Sequence, residues 1–211
     1  MIDEKYNRLL INKNIIIDSN SYVDKSSIIL ANSIILGNSK ILKNAIIGPN
    51  SVIIDSVINE NSYILNSYVS ESVVGSNTTV GPYANIKKNT IIGDNCRIGN
   101  YVEIKNSQIK SFTKAAHLAY IGDSEIGYRC NFGCGSITVN YDGKTKHKTV
   151  IGDDVFVGSN SNLVAPIKIE DNSFIACGST ITLDVPENTL SIARSRQINK
   201  TDYLKKYTNP E

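Results

Sequence analysis

The chain contains two histidines, His117 and His147. His117 opens the run HLAYIGDSEIG, directly after a stretch that breaks the regularity of its surroundings. A neutral imidazole there could take a proton from an amine as the amine attacks an acyl carbon. A lone histidine beside a loop is more often a surface or packing residue, so its company decides. That company is the polar segment VNYDGKTKHKT (139–149) with Asn140 and Tyr141, lysines at Lys87 and Lys105, and Arg194 further on. Lysines on an outer wall are usually just solvated; converging on one groove they make an anion site. Two histidines do not make up a three-histidine zinc site within one chain. Their spacing also gives no reason to expect one shared between chains, so no metal is expected.

The elements that must position these residues are legible as a repeat. Val74, Val80, Ile86, Ile92, Ile98 and Ile104 follow one another at six-residue steps, as do Ile151, Val157, Leu163, Ile169, Ile175 and Ile181. Glycine often comes next, and a small or branched residue sits four places on, as at Thr78, Ala84, Thr90 and Cys96. A helix returns to the same face after three or four residues and a strand after two. A period of six fits a short strand and a tight bend, three of which close one triangular turn of a parallel β-helix. The aliphatic residue points inward, the small residue occupies the corner, and Gly or Asn supplies the bend. Two ladders without a slip argue against the alternative, a β-sandwich of short strands.

The predicted organisation is a polar lead-in over 1–13, with a helical turn or two around Tyr6 to Leu10, a β-helix over 14–185, and a basic tail over 186–211 that either caps the solenoid end or meets phosphates with its basic side chains. The ladder begins at Ile17, Val23 and Ile29 and is expected to shift register at Leu36. It continues through Ile41, Ile47, Ile53, Ile58 and Ile64 and to lose its period over 107–116. Residues 139–149 are read as a loop ejected from the prism. A formal charge of +2 gives no signal for nucleic acid or a membrane surface. No apolar run is long enough to span a bilayer, and the first ten residues do not read as a signal peptide. Cys96, Cys130, Cys134 and Cys177 occupy repeat positions and are read as reduced small core or corner residues of a cytoplasmic protein.

From about residue 74 to 194 the chain resembles the acetyltransferase domain of the bifunctional N-acetylglucosamine-1-phosphate uridyltransferase/glucosamine-1-phosphate acetyltransferase family. The motifs are VGPYANI, IGNYVEIK, HLAYIGDSEIG, NYDGKTKHKTVIGDDVFVGS, LVAP and ENTLSIAR. The resemblance implies a left-handed β-helix, a homotrimer with active sites between subunits, and transfer of acetyl from acetyl-CoA to the amine of glucosamine-1-phosphate. It implies His117 as catalytic base, and Lys87, Lys105, Tyr120 and Asn131 as holding the amino-sugar phosphate. It implies Cys134, Asn140, Tyr141, Ser159, Cys177 and Arg194 as acetyl-CoA contacts. Glu103, beside Lys105, could orient the imidazole, and the Cys134 amide and Ser159 hydroxyl could serve a developing oxyanion.

Two departures stand out. The chain has no glycine-rich nucleotide loop of the L-x-A-G-x-G-T-R kind. Uridyltransferase activity is therefore not expected, and a separate uridyltransferase becomes a conceivable partner. Lys87 stands where the family has Arg, a point charge in place of a bidentate fork. That leaves three readings: this acetyltransferase, an acetyltransferase for another amino sugar, and a non-catalytic hexapeptide-repeat scaffold. His117, Asn131, Tyr141, Lys146 and Arg194 speak against the last, since a scaffold needs none of them.

Overall fold

The computed structural model describes residues 14–207, so the lead-in and the turns expected around Tyr6 lie outside the described residues. Among those residues 29 short strands, β1 (Ile16–Ile17) to β29 (Leu190–Ser191), follow in chain order. They are dealt in rotation onto three walls, here A, B and C, of ten, nine and ten parallel strands. From β1 to β25 each strand pairs with the one three places on, as β13 (Asn85–Ile86) does with β16 (Glu103–Lys105). This is the predicted triangular prism, and it is a left-handed β-helix.

The core is a single stack of aliphatic side chains. Ile35, Ile41, Ile47, Ile53, Ile58, Ile64, Ile86, Ile92, Ile98, Ile104 and Ile121 are all buried. Each such side chain contributes about 1.5–3 kcal/mol on leaving water. The prism is too narrow for aromatic rings at every rung, and among the described residues Phe132 is the one aromatic side chain in the buried stack. Corners hold Ser, Thr, Ala, Cys or Val, because two walls leave little room where they meet. The corner hydroxyls also satisfy backbone groups of the next coil: Ser62 Oγ donates to the Gly75 carbonyl (2.6 Å) and accepts from the Thr78 amide (3.1 Å). Cys96 and Cys130 take the same corner role, with thiols pushed up to about 11 chiefly by burial.

Four expectations need correction. Ile35, not Leu36, enters the core, so the six-residue step runs unbroken from Ile17 to Ile53. Residues 107–116 keep the ladder: Ile109 and Ala115 are buried, and Ser107 and Thr113 fill corners. A five-residue step from Ile104 to Ile109 disguised it. The coil also goes past Pro186, since β29 pairs with β27 (Phe174–Ile175). The last buried residues of the stack are Ile181 and Val185, ahead of the basic tail. Lastly, Cys134 and Cys177 are exposed, unlike the other two cysteines.

Candidate functional site

His117 ends β18 (Lys114–His117) on wall C, at the corner where the chain turns onto wall A. Its ring is exposed in the single chain. Nδ1 lies 2.6 Å from Oδ1 of Asn100, the last residue of β15 (Arg97–Asn100) and its register partner one coil earlier. The register carries the same column through Cys134, Ser159 and Cys177 on the following coils. Arg194 closes it, its Cδ lying 3.7 Å from where a β-carbon on Gly178 would be. Four of the six residues expected to hold acetyl-CoA therefore line one edge of the prism, in line with His117.

Asn140 and Tyr141 are elsewhere. They lead the excursion between β22 (Ile137–Val139) and β23 (Thr149–Ile151), at the opposite edge of wall A. The excursion is a small hairpin with an antiparallel bridge between Tyr141 and Lys146. Asp142 builds its turn, accepting from the Lys144 and Thr145 amides (2.7 Å each) and contacting His147 Nε2 at 2.6 Å. Those bonds, His147 first, hold the Asp142 carboxyl well below the usual range. Asn140 is buried, with its side-chain amide tied to Asp123 and 3.3 Å from the Tyr120 hydroxyl. It anchors the hairpin. Tyr141 stays exposed, and its hydroxyl donates to the Gly143 carbonyl at 2.7 Å.

Wall A, between these edges, carries the cations. Lys87 and Lys105 follow register-paired Ile86 and Ile104 on successive coils. Lys146 reaches over from the hairpin, 3.9 Å from Asp123. Its ammonium above all, with Lys87 adding to it, pushes the Lys105 pKa below the ordinary lysine value. Asp123 and the Glu103 partner of Lys87 offset only part of this like charge, and the remainder favours an anionic guest. Tyr120 is the register neighbour of Glu103 on the same wall. Asn131, in contrast, lies on wall C between Lys114 and Phe156, so the structure does not bring it to the three wall A residues within one chain.

Glu103 does not orient the imidazole. It pairs with Lys87 at 2.7 Å and accepts from Asn85 at 3.1 Å. Asn100 holds the ring instead. Sequence reasoning missed it, along with the roles of Asp123 and Lys146. Its signal was the 17-residue offset from His117, one coil in this part of the chain.

Fold and site together define a class, the left-handed hexapeptide-repeat β-helices with a histidine edge. Two solved structures share this fold. One is UDP-N-acetylglucosamine O-acyltransferase (LpxA) from Moraxella catarrhalis RH4, with TM-score 0.53, 16% identity, and 90% of this chain and 79% of that one covered. The other is PerB from Caulobacter crescentus in complex with CoA and GDP-perosamine, with TM-score 0.50, 17% identity, and 61% and 68% covered. Sequence relationships are more particular. The chain is 54% identical over 164 residues to the bifunctional protein GlmU of Clostridium tetani (strain Massachusetts / E88), spanning 78% of this chain and 36% of that protein. It is 58% identical over 158 residues to the GlmU of Caldanaerobacter subterraneus subsp. tengcongensis, spanning 75% and 35%. The chain thus spans about a third of the length of these curated relatives. A family model described as the GMPPB C-terminal domain matches residues 68–165. Among the described residues no helix is long and apolar enough to cross a membrane.

Proposed function

We propose that the chain is an acetyl-CoA-dependent N-acetyltransferase that converts glucosamine-1-phosphate to N-acetylglucosamine-1-phosphate, working in the cytoplasm as a homotrimer. The observation that carries this reading is the placement of His117, with Nδ1 occupied, at the edge of a wall bearing three converging lysines. In this reading Lys87, Lys105 and Tyr120 hold the sugar phosphate. Asn131 completes the set from a neighbouring subunit, because its own wall faces another way. His117 takes the proton from the amine as the nitrogen–carbon bond forms and the carbon–sulfur bond breaks, and the released thiolate is protonated by solvent. The Cys134 amide and Ser159 hydroxyl face the carbonyl oxygen as its charge grows. Cys134, Ser159, Cys177 and Arg194 take the pantetheine and nucleotide along one edge. Asn140 and Tyr141 close over it from an adjacent chain. No metal is called on. A neighbouring subunit is also what would shelter the exposed His117 ring from bulk water.

A second acceptor has one observation in its favour. Lys87 is already paired with Glu103 at 2.7 Å, which leaves it less charge to offer a phosphate. An unphosphorylated amino sugar would fit that pairing. Thiol release from acetyl-CoA, measured against a panel of phosphorylated and unphosphorylated amino sugars, separates the readings. Preference for glucosamine-1-phosphate supports the first. Preference for a neutral sugar supports the second, and no release with any acceptor points to a scaffold. UTP consumption in the same assay tests the expected lack of uridyltransferase activity, and would show whether a separate uridyltransferase is called for.

A further inference from the structure

We propose that Asn100 is a positioning residue that locks His117 in the Nδ1–H tautomer, so that Nε2 keeps its lone pair and is the nitrogen that accepts the proton. This rests on the reading of His117 as a base. It adds which nitrogen acts, and which part of the fold decides that.

An amide oxygen can only accept a hydrogen bond. With Asn100 Oδ1 at 2.6 Å, the proton of a neutral His117 ring must sit on Nδ1. The second ring nitrogen is then an acceptor by elimination. A neutral partner orients the ring without favouring the imidazolium, whereas a carboxylate would favour it. A base that must be uncharged before it acts is better served by the amide.

The backbone is shaped for this contact. Among the described residues β15 and β18 are the only strands of four residues. Their extra length brings Asn100 into register with His117. The extension requires Gly99: a β-carbon there would fall 1.8 Å from the Ala116 carbonyl oxygen, so any side chain would push the two coils apart. Past the pair, the Leu118 amide donates to the Asn100 carbonyl at 2.9 Å, fixing the coil on the far side of the histidine. Asn100 is thus held by its backbone before and after the rung. Its side chain is half-buried against the edge that His117 occupies.

The chain supplies its own control. His147 has Nε2 2.6 Å from a carboxylate oxygen of Asp142, and a carboxylate likewise only accepts. Neutral His147 must therefore carry its proton on Nε2, the opposite tautomer. Two histidines in the whole chain make the distinction readable.

The experiment is two-bond 1H–15N correlation of the full-length protein labelled at histidine, at a pH well above the ordinary histidine value of about 6.5. Nε2 couples strongly to both ring carbon-bound protons and Nδ1 to one, and His147→Gln assigns the pair. The expected result is a pyrrole-type Nδ1 for His117 and a pyrrole-type Nε2 for His147. In Asn100→Ala, His117 should show averaged nitrogen shifts. Its kcat for acetyl transfer should fall about 10- to 100-fold while KM for both substrates stays within about 2-fold, since the ring remains but is no longer locked. Asn100→Asp should restore the Nδ1–H tautomer and move the acid limb of the kcat profile to higher pH, because a carboxylate stabilises the imidazolium. A pyrrole-type Nε2 on wild-type His117 overturns the proposal. So does an Asn100→Ala enzyme with unchanged kcat and pH profile. The wild-type spectrum decides the tautomer even if a variant fails to fold. The expected tautomer in a chain without acetyl transfer would count against the proposed function and leave the Asn100–His117 lock standing.

Discussion

The coils up to residue 80 and those over residues 83–129 share one cross-section and one hydrogen-bonding plan, but they fill their bends differently. In the first group the non-glycine residues with positive φ are Asn32, Asn44, Asn50, Asp55, Asn61, Asn66, Glu71 and Asn77. Asn tolerates that conformation well, since its short polar side chain bonds locally. In the second group Asn89, Asn95, Asn106 and Asp123 keep that pattern, but Tyr83 (φ 61°), Tyr101 (57°), Phe112 (65°), Leu118 (42°) and Arg129 (56°) hold the other bends. Beyond the hairpin the bends return to Asp154, Asn160, Asn172 and Asn188. Large side chains in the left-handed region cost about 1–3 kcal/mol each, and such strain gathers at functional sites. Here it gathers on the coils that carry His117. On that histidine's own edge the bend column reads Asn50, Asn66, Tyr83, Tyr101, Leu118, Gly135, Asn160. Tyr83 and Tyr101 are stacked with ring centroids 5.6 Å apart, and all three large residues are more than half exposed in the single chain. The early coils are therefore built for stability, and the middle coils hold bulky groups outward at a cost to it.

The strongest way to break this contrast is to remove chemistry from the middle coils alone. His117→Ala should lower kcat for acetyl transfer by about 100- to 10,000-fold, the usual contribution of a general base, with little change in melting temperature. Asn50→Ala, on the same edge but in the early coils, should leave kcat unchanged. Steady-state thiol release and a thermal melt for each variant settle it. Near-full activity in His117→Ala would remove the reason for treating the two groups of coils as different in kind.

Next in size is Gly99→Ala. The added methyl cannot share space with the Ala116 carbonyl, so the coils must part beneath Asn100 and His117. Overpacking of this kind costs about 1–3 kcal/mol. The urea midpoint should fall accordingly, and kcat should fall with it, because the imidazole is carried by the displaced strand. A variant that keeps both would mean that the close approach of these coils is incidental.

These two sites also mark how far the amino-acid sequence could be read. The triangular prism was legible because aliphatic residues at six-residue steps leave no other economical fold, and His117, Lys87 and Lys105 stood out by type. The register around the site was not. In Ile34–Leu36 three apolar residues in a row offer equal claims on the core, and only burial picks Ile35. Across 107–116 a step of five, a core position filled by small Ala115, and Phe112 out on a bend together hide an intact coil. Without that coil the 17-residue distance from Asn100 to His117 carries no meaning. Glu103 was the residue offered for the imidazole, from its place beside Lys105, but its partner is Lys87. The split of the expected acetyl-CoA residues between two edges of wall A was invisible for the same reason, since it depends on where the walls turn.

A smaller effect tests the strain itself. Leu118→Asn should relieve a left-handed leucine that is 56% exposed, raising stability by about 1 kcal/mol. Asn50→Leu should do the reverse by a similar amount. It also loses the bond from Asn32 Nδ2 to Asn50 Oδ1, 3.0 Å long. Opposite shifts in urea midpoint, the loss in Asn50→Leu the larger by that bond, would establish that the bends on the two groups of coils differ by residue type. If Leu118→Asn is instead destabilising, an apolar contact outside the single chain is holding Leu118, and the excess loss should depend on protein concentration.

The smallest effect concerns the hairpin, which leaves the solenoid plan between β22 and β23. Asp142 has its carboxyl held below the ordinary value of 3.8, first by His147 and then by the Thr145 and Lys144 amides. A carboxyl depressed in the folded state adds stability that is complete above its unfolded value and is lost as pH falls through the folded one. The hairpin should therefore keep its structure at neutral pH and loosen only in strong acid, well below pH 4. Asp142 is exposed and His147 only half-buried, so the global melt should hardly register the change. The place to look is the hairpin backbone. The protection of the Thr145 and His147 amides against hydrogen exchange, taken relative to the intrinsic rate at each pH, should fall in acid before the prism unfolds. Asp142→Asn at pH 7 should reproduce part of that loosening and raise KM for acetyl-CoA a few-fold with kcat preserved. If the hairpin amides exchange no faster in Asp142→Asn than in the wild type, the Asp142 turn is not what holds Tyr141 in place. The Asn140 anchor to Asp123 would then carry that task alone.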